Sequence, residues 1–292
     1  MLNLPSFDKN YESDSKLKSL SNAITDLNNV VVLFSGGIDS SFLLYLCTKS
    51  LPKPNILNVI GVSQSLPERE LIEARAFSKL VDVPLIELKT NELENELYSN
   101  NSGNRCYHCK TELNDVLLNF MNQNPQYTNW NIIDGLQASD KIEHRPGFKA
   151  NEKYQIKHPL YDLKFTKDEI RSYCKSFGLS VYDKPESACL SSRVMVGTKV
   201  TASILSTIER AENLLLDSGI IGSRVRIHNL NNSQKTPELL ARIELRNQKE
   251  MQKLIGADHL LADLRKLPIS FITIDLDGYK EGGFSNQKLK VL

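Results

Sequence analysis

The 292-residue sequence has no apolar run near the roughly 20 residues that a membrane-spanning helix needs, so it does not read as an α-helical membrane protein. An excess of charge is also missing. Lys and Arg number 36 against 35 Asp and Glu, and no basic arm or long charge run occurs, which argues against a large nucleic-acid surface. The first residues, Met-Leu-Asn-Leu-Pro-Ser-Phe-Asp, lack a basic stretch followed by an apolar one. No secretory signal is therefore expected, and the cytoplasm is the expected location. Internal repeats and low-complexity segments are absent. Cysteine is scarce and odd in number, at five, which fits reduced thiols or metal ligands better than a disulfide framework. A second Cys-x-x-Cys, as a paired zinc ribbon would need, is absent too.

What is present begins at the apolar run Val30-Val31-Val32-Leu33-Phe34. It opens into Ser35-Gly36-Gly37-Ile38-Asp39-Ser40-Ser41 and then into Phe42-Leu43-Leu44-Tyr45-Leu46. This order predicts a strand, an anion-binding loop and a helix. Glycines let backbone N–H groups approach an anion, and a helix N-terminus favours negative charge. Asp39 could link to Mg²⁺, while Ser35, Ser40 and Ser41 could donate hydrogen bonds. The loop has no Gly-Lys-Ser/Thr ending, so it is not the P-loop of kinases and GTPases. It resembles the PP-loop of ATP pyrophosphatases, which cleave ATP between the α- and β-phosphates.

The first two-thirds of the chain alternates strands and helices. Strands are expected at 29–34, 55–63, 85–88 and 131–135, with helices at 15–27, 67–81 and 166–178. In the last helix Thr166 and Glu169 form a capping box, and Gly178 marks the stop. This alternation predicts an α/β fold with a parallel sheet covered on both faces. Ligands of such sheets sit beyond the strands' carboxyl ends, where Ser35-Gly36-Gly37, Ser63 and Asp134-Gly135 all fall. From about residue 199 an α-β-β-α-β order is expected. It comprises helices at 201–217 and 249–265 and strands at 224–228, 239–245 and 269–276, with a turn at Asn229 to Asn232. The alternation in Ala241-Arg242-Ile243-Glu244-Leu245 predicts that the second and third of these strands pair antiparallel. The expected division is residues 1–197, an adenine-nucleotide domain carrying the cysteines, and residues 198–292, a smaller α+β domain.

Cys106-Tyr107-His108-Cys109 and the distant Cys189 are the candidate ligands. Three thiolates suit a cubane cluster with one open iron, whereas His108, His144 or His158 could complete a zinc site instead. Cys47 and Cys174 fall inside helical patterns and read as packing residues. Arg224, Arg226 and His228 alternate along one strand and so share a face. Two guanidiniums there could clamp a phosphate, although the residues alone favour a solvated strand face. Arg145, in the loop after the fourth strand, could reach ATP phosphates.

Three segments together resemble the LarE family of ATP-dependent sulfur transferases in nickel-pincer nucleotide synthesis. They are the Ser35 to Ser40 loop, Asp134-Gly135 with His144-Arg145-Pro146-Gly147, and Cys189-Leu190-Ser191-Ser192-Arg193. Arg224-Val225-Arg226-Ile227-His228, Ala241 to Leu245 and Asp275-Leu276-Asp277-Gly278-Tyr279 extend the match. The resemblance implies adenylation of a carboxylate of pyridinium-3,5-biscarboxylic acid mononucleotide, followed by displacement of AMP by sulfur. It implies that Ser35, Gly36, Gly37, Ile38, Asp39, Ser40, Ser41, Ser63, Gly135 and Arg145 bind Mg-ATP. Arg193, Arg224 and Arg226 would hold the substrate phosphate, with Glu212 and Glu244 near a metal. Cys189, Asp39, Cys106 and Cys109 would be the catalytic set. Members with three cysteines hold a [4Fe-4S] cluster, here expected on Cys106, Cys109 and Cys189; members with the downstream cysteine alone sacrifice its sulfur. A small-molecule nucleotide substrate, a sulfide donor and a homo-oligomer are further implications. The rival readings are a tRNA thiolase of the same superfamily, an amidotransferase-type synthetase, and a nucleotide-binding module with structural zinc.

Overall fold

Val30 to Leu33 is an unbroken β-branched and leucine run, and all four residues are buried. A strand buried on both faces needs no polar alternation, which is why the sequence shows none. The computed structural model describes residues 14–140, 151–185, 188–231, 233 and 236–279. Within them the chain divides into two compact units, 1–63 with 68–91 and 106–187, and 64–67 with 92–105 and 188–292. His144, Arg145 and Gly147 lie outside the described residues.

The first unit contains α1 (Ser15–Asp26), β1 (Val30–Leu33), α2 (Ile38–Ser50), β2 (Ile56–Val62), α3 (Glu68–Val81) and β3 (Leu85–Lys89). Its four-stranded sheet is completed by β4 (Asn131–Asp134), in the order β3-β2-β1-β4 with every pair parallel. The expected parallel α/β sheet is therefore present. Against one face, Val31, Leu33, Leu57, Val59 and Ile132 pack with Leu117 and Met121. These two belong to a helix, Arg105–Gln123, preceded in the chain by the single turn α4 (Glu96–Ser99), so it is α5. Gly61 of β2 matters here, because a Cβ would stand 2.8 Å from Leu113 Cδ1. The sequence reading placed Cys106 and Cys109 without assigning this helix. Its signal was the apolar spacing Leu113, Val116/Leu117, Phe120/Met121.

The unit also includes the short helix α6 (Pro159–Asp162) and α7 (Lys167–Ser176). The Thr166/Glu169 capping box forms as expected. Aromatic rings join α2 to α7: Phe42 lies 5.8 Å from Tyr173, and Tyr45 lies 5.4 Å from Phe177. This explains why α2 is apolar all round from Phe42 to Cys47.

The second unit holds α8 (Ala202–Asp217), β5 (Arg224–Asn229), β6 (Leu239–Glu244), α9 (Gln248–Ile255), α10 (Asp258–Leu264) and β7 (Phe271–Ile274). The antiparallel pair is β5 with β6, and β7 joins β6 in parallel, so the antiparallel pairing expected of the second and third strands is corrected: the α9–α10 connection is a crossover that returns the chain in the same direction. The single helix expected over 249–265 is two, because Gly256 caps α9 and Ala257 leaves helical geometry. Asn101 ties the early segment into this unit, donating from Nδ2 to the carbonyls of Met195 (2.8 Å) and Thr198 (3.1 Å).

Candidate active site

The glycine loop joins β1 to α2 in the first unit. Gly36 has φ +71°, a left-handed conformation that costs glycine nothing, and Gly37 occupies the N-cap of α2 with no side chain capping it. The first hydrogen bond of the helix runs from Ser41 N–H to the Gly37 carbonyl at 3.0 Å, so the preceding N–H groups lie ahead of the helical ladder. Ser40 shapes the loop from within: its Oγ donates to the Gly37 carbonyl at 3.1 Å and accepts from Ser35 N–H at 3.2 Å. Ser41 is fully buried. Of the three serines named from the sequence, then, Ser40 closes the loop and Ser41 lies in the interior. Gly135, at the end of β4, is forced to be glycine, because a Cβ would stand 2.7 Å from Ser40 N. The end of β4 is thus packed directly against the first turn of α2. Ser63 follows the end of β2 directly, at the same edge of the sheet.

Asp39 provides the hard oxygen donor that Mg²⁺ prefers. Here its Oδ2 is 2.6 Å from Lys167 Nζ, and both side chains are one-fifth exposed. A second lysine meets the loop: Lys184 Nζ donates to the Gly36 carbonyl at 3.0 Å and pairs with Glu70 and Glu73, each at 2.6 Å. Burial alone would lower the pKa of Lys184, but the two carboxylates outweigh it and hold the pKa above the ordinary lysine value. The sequence reading missed both lysines. Their only sequence signal is a basic residue directly after a helix cap and a Lys-Pro pair, neither of which is specific.

Asp134, buried at the end of β4, accepts from Asn151 Nδ2 at 2.8 Å and from the N–H of Leu136 at 3.1 Å. Its Oδ1 also lies 2.6 Å from His158 Nδ1. His158, considered above as a zinc ligand, is thus an Asp134 partner in this structure.

In the second unit Cys189 heads a one-turn helix, Leu190–Arg193. Leu190 N–H donates to the Ser65 carbonyl at 2.8 Å, and Ser191 Oγ lies 2.6 Å from Tyr98 OH and 3.0 Å from Ser65 Oγ. Arg193 is 2% exposed. Its Nη1 donates to the carbonyls of Ala188 and Cys189, while Nε and Nη2 grip Glu212 at 3.0 and 3.1 Å. Glu212 also accepts from Val225 N–H at 3.1 Å. Arg193 therefore fixes the cysteine turn.

Arg226 is 6% exposed, donates to Glu244 at 3.0 Å and to the Ser192 carbonyl at 2.9 Å, and Arg242 takes the other Glu244 oxygen at 3.1 Å. Glu212 and Glu244, named above near a metal, are arginine partners in this structure. Arg224 is less buried and stands over the Tyr279 ring at 5.5 Å. Burial, and then the charge of Arg193, push its pKa below the ordinary arginine value. Of the three arginines named for the substrate phosphate, Arg193 and Arg226 are buried against carboxylates and backbone carbonyls, and Arg224 is the less buried one.

The thiols separate by environment. Cys47 and Cys174 are buried, and burial pushes Cys174 up to about 12, with Asp39 adding to the shift. Cys106 is exposed and Cys109 is half-buried, one turn apart at the start of α5 in the first unit, while half-buried Cys189 belongs to the second. The accessible thiols suit an iron–sulfur cluster in chemical kind. Among the described residues, however, no three His, Cys, Asp or Glu side chains are gathered into a metal-holding group.

Comparison with known proteins adds three relatives. Residues 15–116 match the NAD synthase family. The uncharacterised protein slr1717 of Synechocystis is 32% identical over 272 residues, covering 92% of this chain and 96% of its own. Pyridinium-3,5-bisthiocarboxylic acid mononucleotide synthase of Lactiplantibacillus plantarum is 28% identical over 280 residues, 94% of this chain and 96% of its own. The uncharacterised protein MJ0830 of Methanocaldococcus jannaschii is 23% identical over 252 residues, 86% and 90% of the two chains.

Proposed function

The chain belongs to the LarE family of PP-loop enzymes, and from that premise we propose that it is an ATP-dependent sulfurtransferase acting on pyridinium-3,5-biscarboxylic acid mononucleotide. A substrate carboxylate oxygen attacks the α-phosphorus of ATP, and the bond to the bridging oxygen breaks with release of pyrophosphate. The resulting acyl-adenylate carries AMP as a good leaving group. A sulfur nucleophile then adds to the acyl carbon, the bond to the AMP oxygen breaks, and a thiocarboxylate remains.

Each part of the chain has a role in this reading. The uncapped N-terminus of α2 and the glycine loop bind the phosphates, and Asp39 would hold Mg²⁺, which supplies charge neutralisation. Arg224 binds the substrate phosphate, and Arg193 fixes the backbone of Cys189. Cys106, Cys109 and Cys189 would hold a [4Fe-4S] cluster, whose open iron would supply a transferable sulfide. A cytoplasmic homo-oligomer is part of the same reading. The observation that carries the proposal is the Cys189 turn, whose carbonyl Arg193 holds in the same unit as Arg224.

The test is iron, acid-labile sulfide and zinc content of anaerobically purified chain, with pyrophosphate and thiocarboxylate followed on the mononucleotide. Iron with sulfide, pyrophosphate release and repeated turnover that Cys106→Ala abolishes are expected. Retained transfer in Cys106→Ala, with one sulfur lost from Cys189 per chain, would replace the cluster route with the sacrificial one. ATP binding without pyrophosphate release would overturn the enzyme reading.

A further inference from the structure

Ser65, Tyr98 and Ser191 bring three hydroxyl groups together inside the second unit, from positions 33, 93 and 126 apart in the chain. All three residues are buried. Tyr98 OH lies 2.7 Å from Ser65 Oγ and 2.6 Å from Ser191 Oγ, and the two serine oxygens are 3.0 Å apart. Hydroxyls at such distances close a ring. Each has one proton to give and lone pairs to receive, so every O–H is bonded and none is stranded away from water. An isolated buried hydroxyl would carry a desolvation cost instead.

The ring meets the turn that carries Cys189. Between Cys189 and Ser191, the N–H of Leu190 donates to the Ser65 carbonyl at 2.8 Å. From the other side Arg193 Nη1 donates to the carbonyls of Ala188 and Cys189, and Ser192 Oγ donates to the Cys189 carbonyl at 2.8 Å. The peptide groups before and after Cys189 are thus both tied, the first by a guanidinium and the second through Ser65 as well. The distant partners are themselves anchored. Asn95 caps α4 by accepting from Leu97 N–H at 2.9 Å, and the Ser99 carbonyl accepts from Val200 N–H at 2.7 Å. Apolar side chains could fill the same space, but apolar attraction has no direction. Hydrogen bonds fix the distances between oxygens, and in a closed ring each bond strengthens the next.

We propose that the Ser65–Tyr98–Ser191 ring is a positioning device for Cys189, holding the turn so that the thiol is presented in a single place. Its bearing on catalysis rests on the reading that Cys189 serves sulfur transfer, whereas the position of the thiol does not. The three hydroxyls act only through the turn. Losing one of them raises the fraction of time for which the turn is open, and an open turn exposes the half-buried thiol.

Alkylation of the iron-free full chain with iodoacetamide, each thiol followed by peptide mass spectrometry, tests this on wild type, Tyr98→Phe and Ser191→Ala, with thermal melting of each. Removing one hydroxyl from the ring predicts Cys189 alkylated roughly threefold to tenfold faster, with the Cys106 rate within about twofold of wild type. The double variant should gain less than the product of the two single effects, since both break the Tyr98–Ser191 bond. Tyr98→Phe removes a single atom and keeps the packing, so the result does not hang on the fold of Ser191→Ala. On the mononucleotide, first-turnover pyrophosphate release should keep its wild-type rate while thiocarboxylate formation slows. An unchanged Cys189 rate would overturn the inference, whatever the melting temperature. Equal acceleration at Cys106, Cys109 and Cys189 would also overturn it, as the mark of a loosened fold. Wild type that releases no pyrophosphate would instead remove the sulfur-transfer reading, and the alkylation rates would still decide the position of the thiol.

Discussion

At the scale of single residues the site depends on contacts that leave no room for substitution. Gly135 presses its α-carbon against the backbone of Ser40 and Asp39, and a Cβ would meet Ser40 N at 2.7 Å and Asp39 C at 3.0 Å. Backbone cannot swing aside as a side-chain tip can. Gly135→Ala should therefore displace the loop, costing about 1–3 kcal/mol of stability and most of the ATP affinity; melting and nucleotide titration measure the two effects. Arg193 carries a different risk. With its guanidinium buried, Arg193→Ala would leave Glu212 charged and unpaired, a loss of about 3–5 kcal/mol in urea unfolding. Arg193→Met combined with Glu212→Leu should recover much of it, since an apolar pair of similar volume removes the stranded charge. A double variant no more stable than Arg193→Ala would show that the turn, and not the charge, is what Arg193 supports.

At the scale of elements, the helix after the loop and the helix that carries Lys167 are held by complementary devices. α2 is fixed by its aromatic contacts with α7, and α7 by its capping box and by the tie from Glu169 to Lys16 of α1 at 2.7 Å. Lys16, followed by the N–H and hydroxyl of Thr166, holds the Glu169 carboxyl below the usual glutamate range. A carboxylate with a depressed folded pKa contributes stability above its unfolded pKa and loses it as pH falls through the folded value. Glu169→Gln should accordingly be less stable than wild type at neutral pH, with the gap closing below roughly pH 4. Because Glu169 is over a third exposed, salt should shrink the gap. A gap that persists unchanged into acid would assign the stabilisation to the cap and not to the charge. The cap, the loop glycines and the apolar runs were legible in the sequence, since residues within a few positions set them. α5 was less so, because its cysteines invited a chemical reading of a segment whose apolar spacing begins only at Leu113.

At the scale of the whole molecule, the second unit is not a continuous stretch of chain. Asn101, Tyr98 and Ser65, all early in the sequence, hold the turns at 190–198 through hydrogen bonds. A fragment of residues 198–292 lacks these partners along with Cys189 and Arg193. It should show no cooperative melt by circular dichroism, whereas the full chain should; a cooperative fragment would show that β5–β7 and their helices suffice. By itself the sequence determined the parallel α/β sheet, the glycine loop at the end of β1 and the division of the thiols into buried and accessible. These follow from periodicity and backbone freedom, which act over a few residues. Only the tertiary structure decided which charges meet. Asp39 finds Lys167 128 positions away, and Gly36 finds Lys184 148 away. Arg226 is turned from an expected open clamp into the buried partner of Glu244. No local pattern encodes such pairings, because they are chosen by which surfaces the folded sheet brings together and by the cost of leaving a buried charge alone.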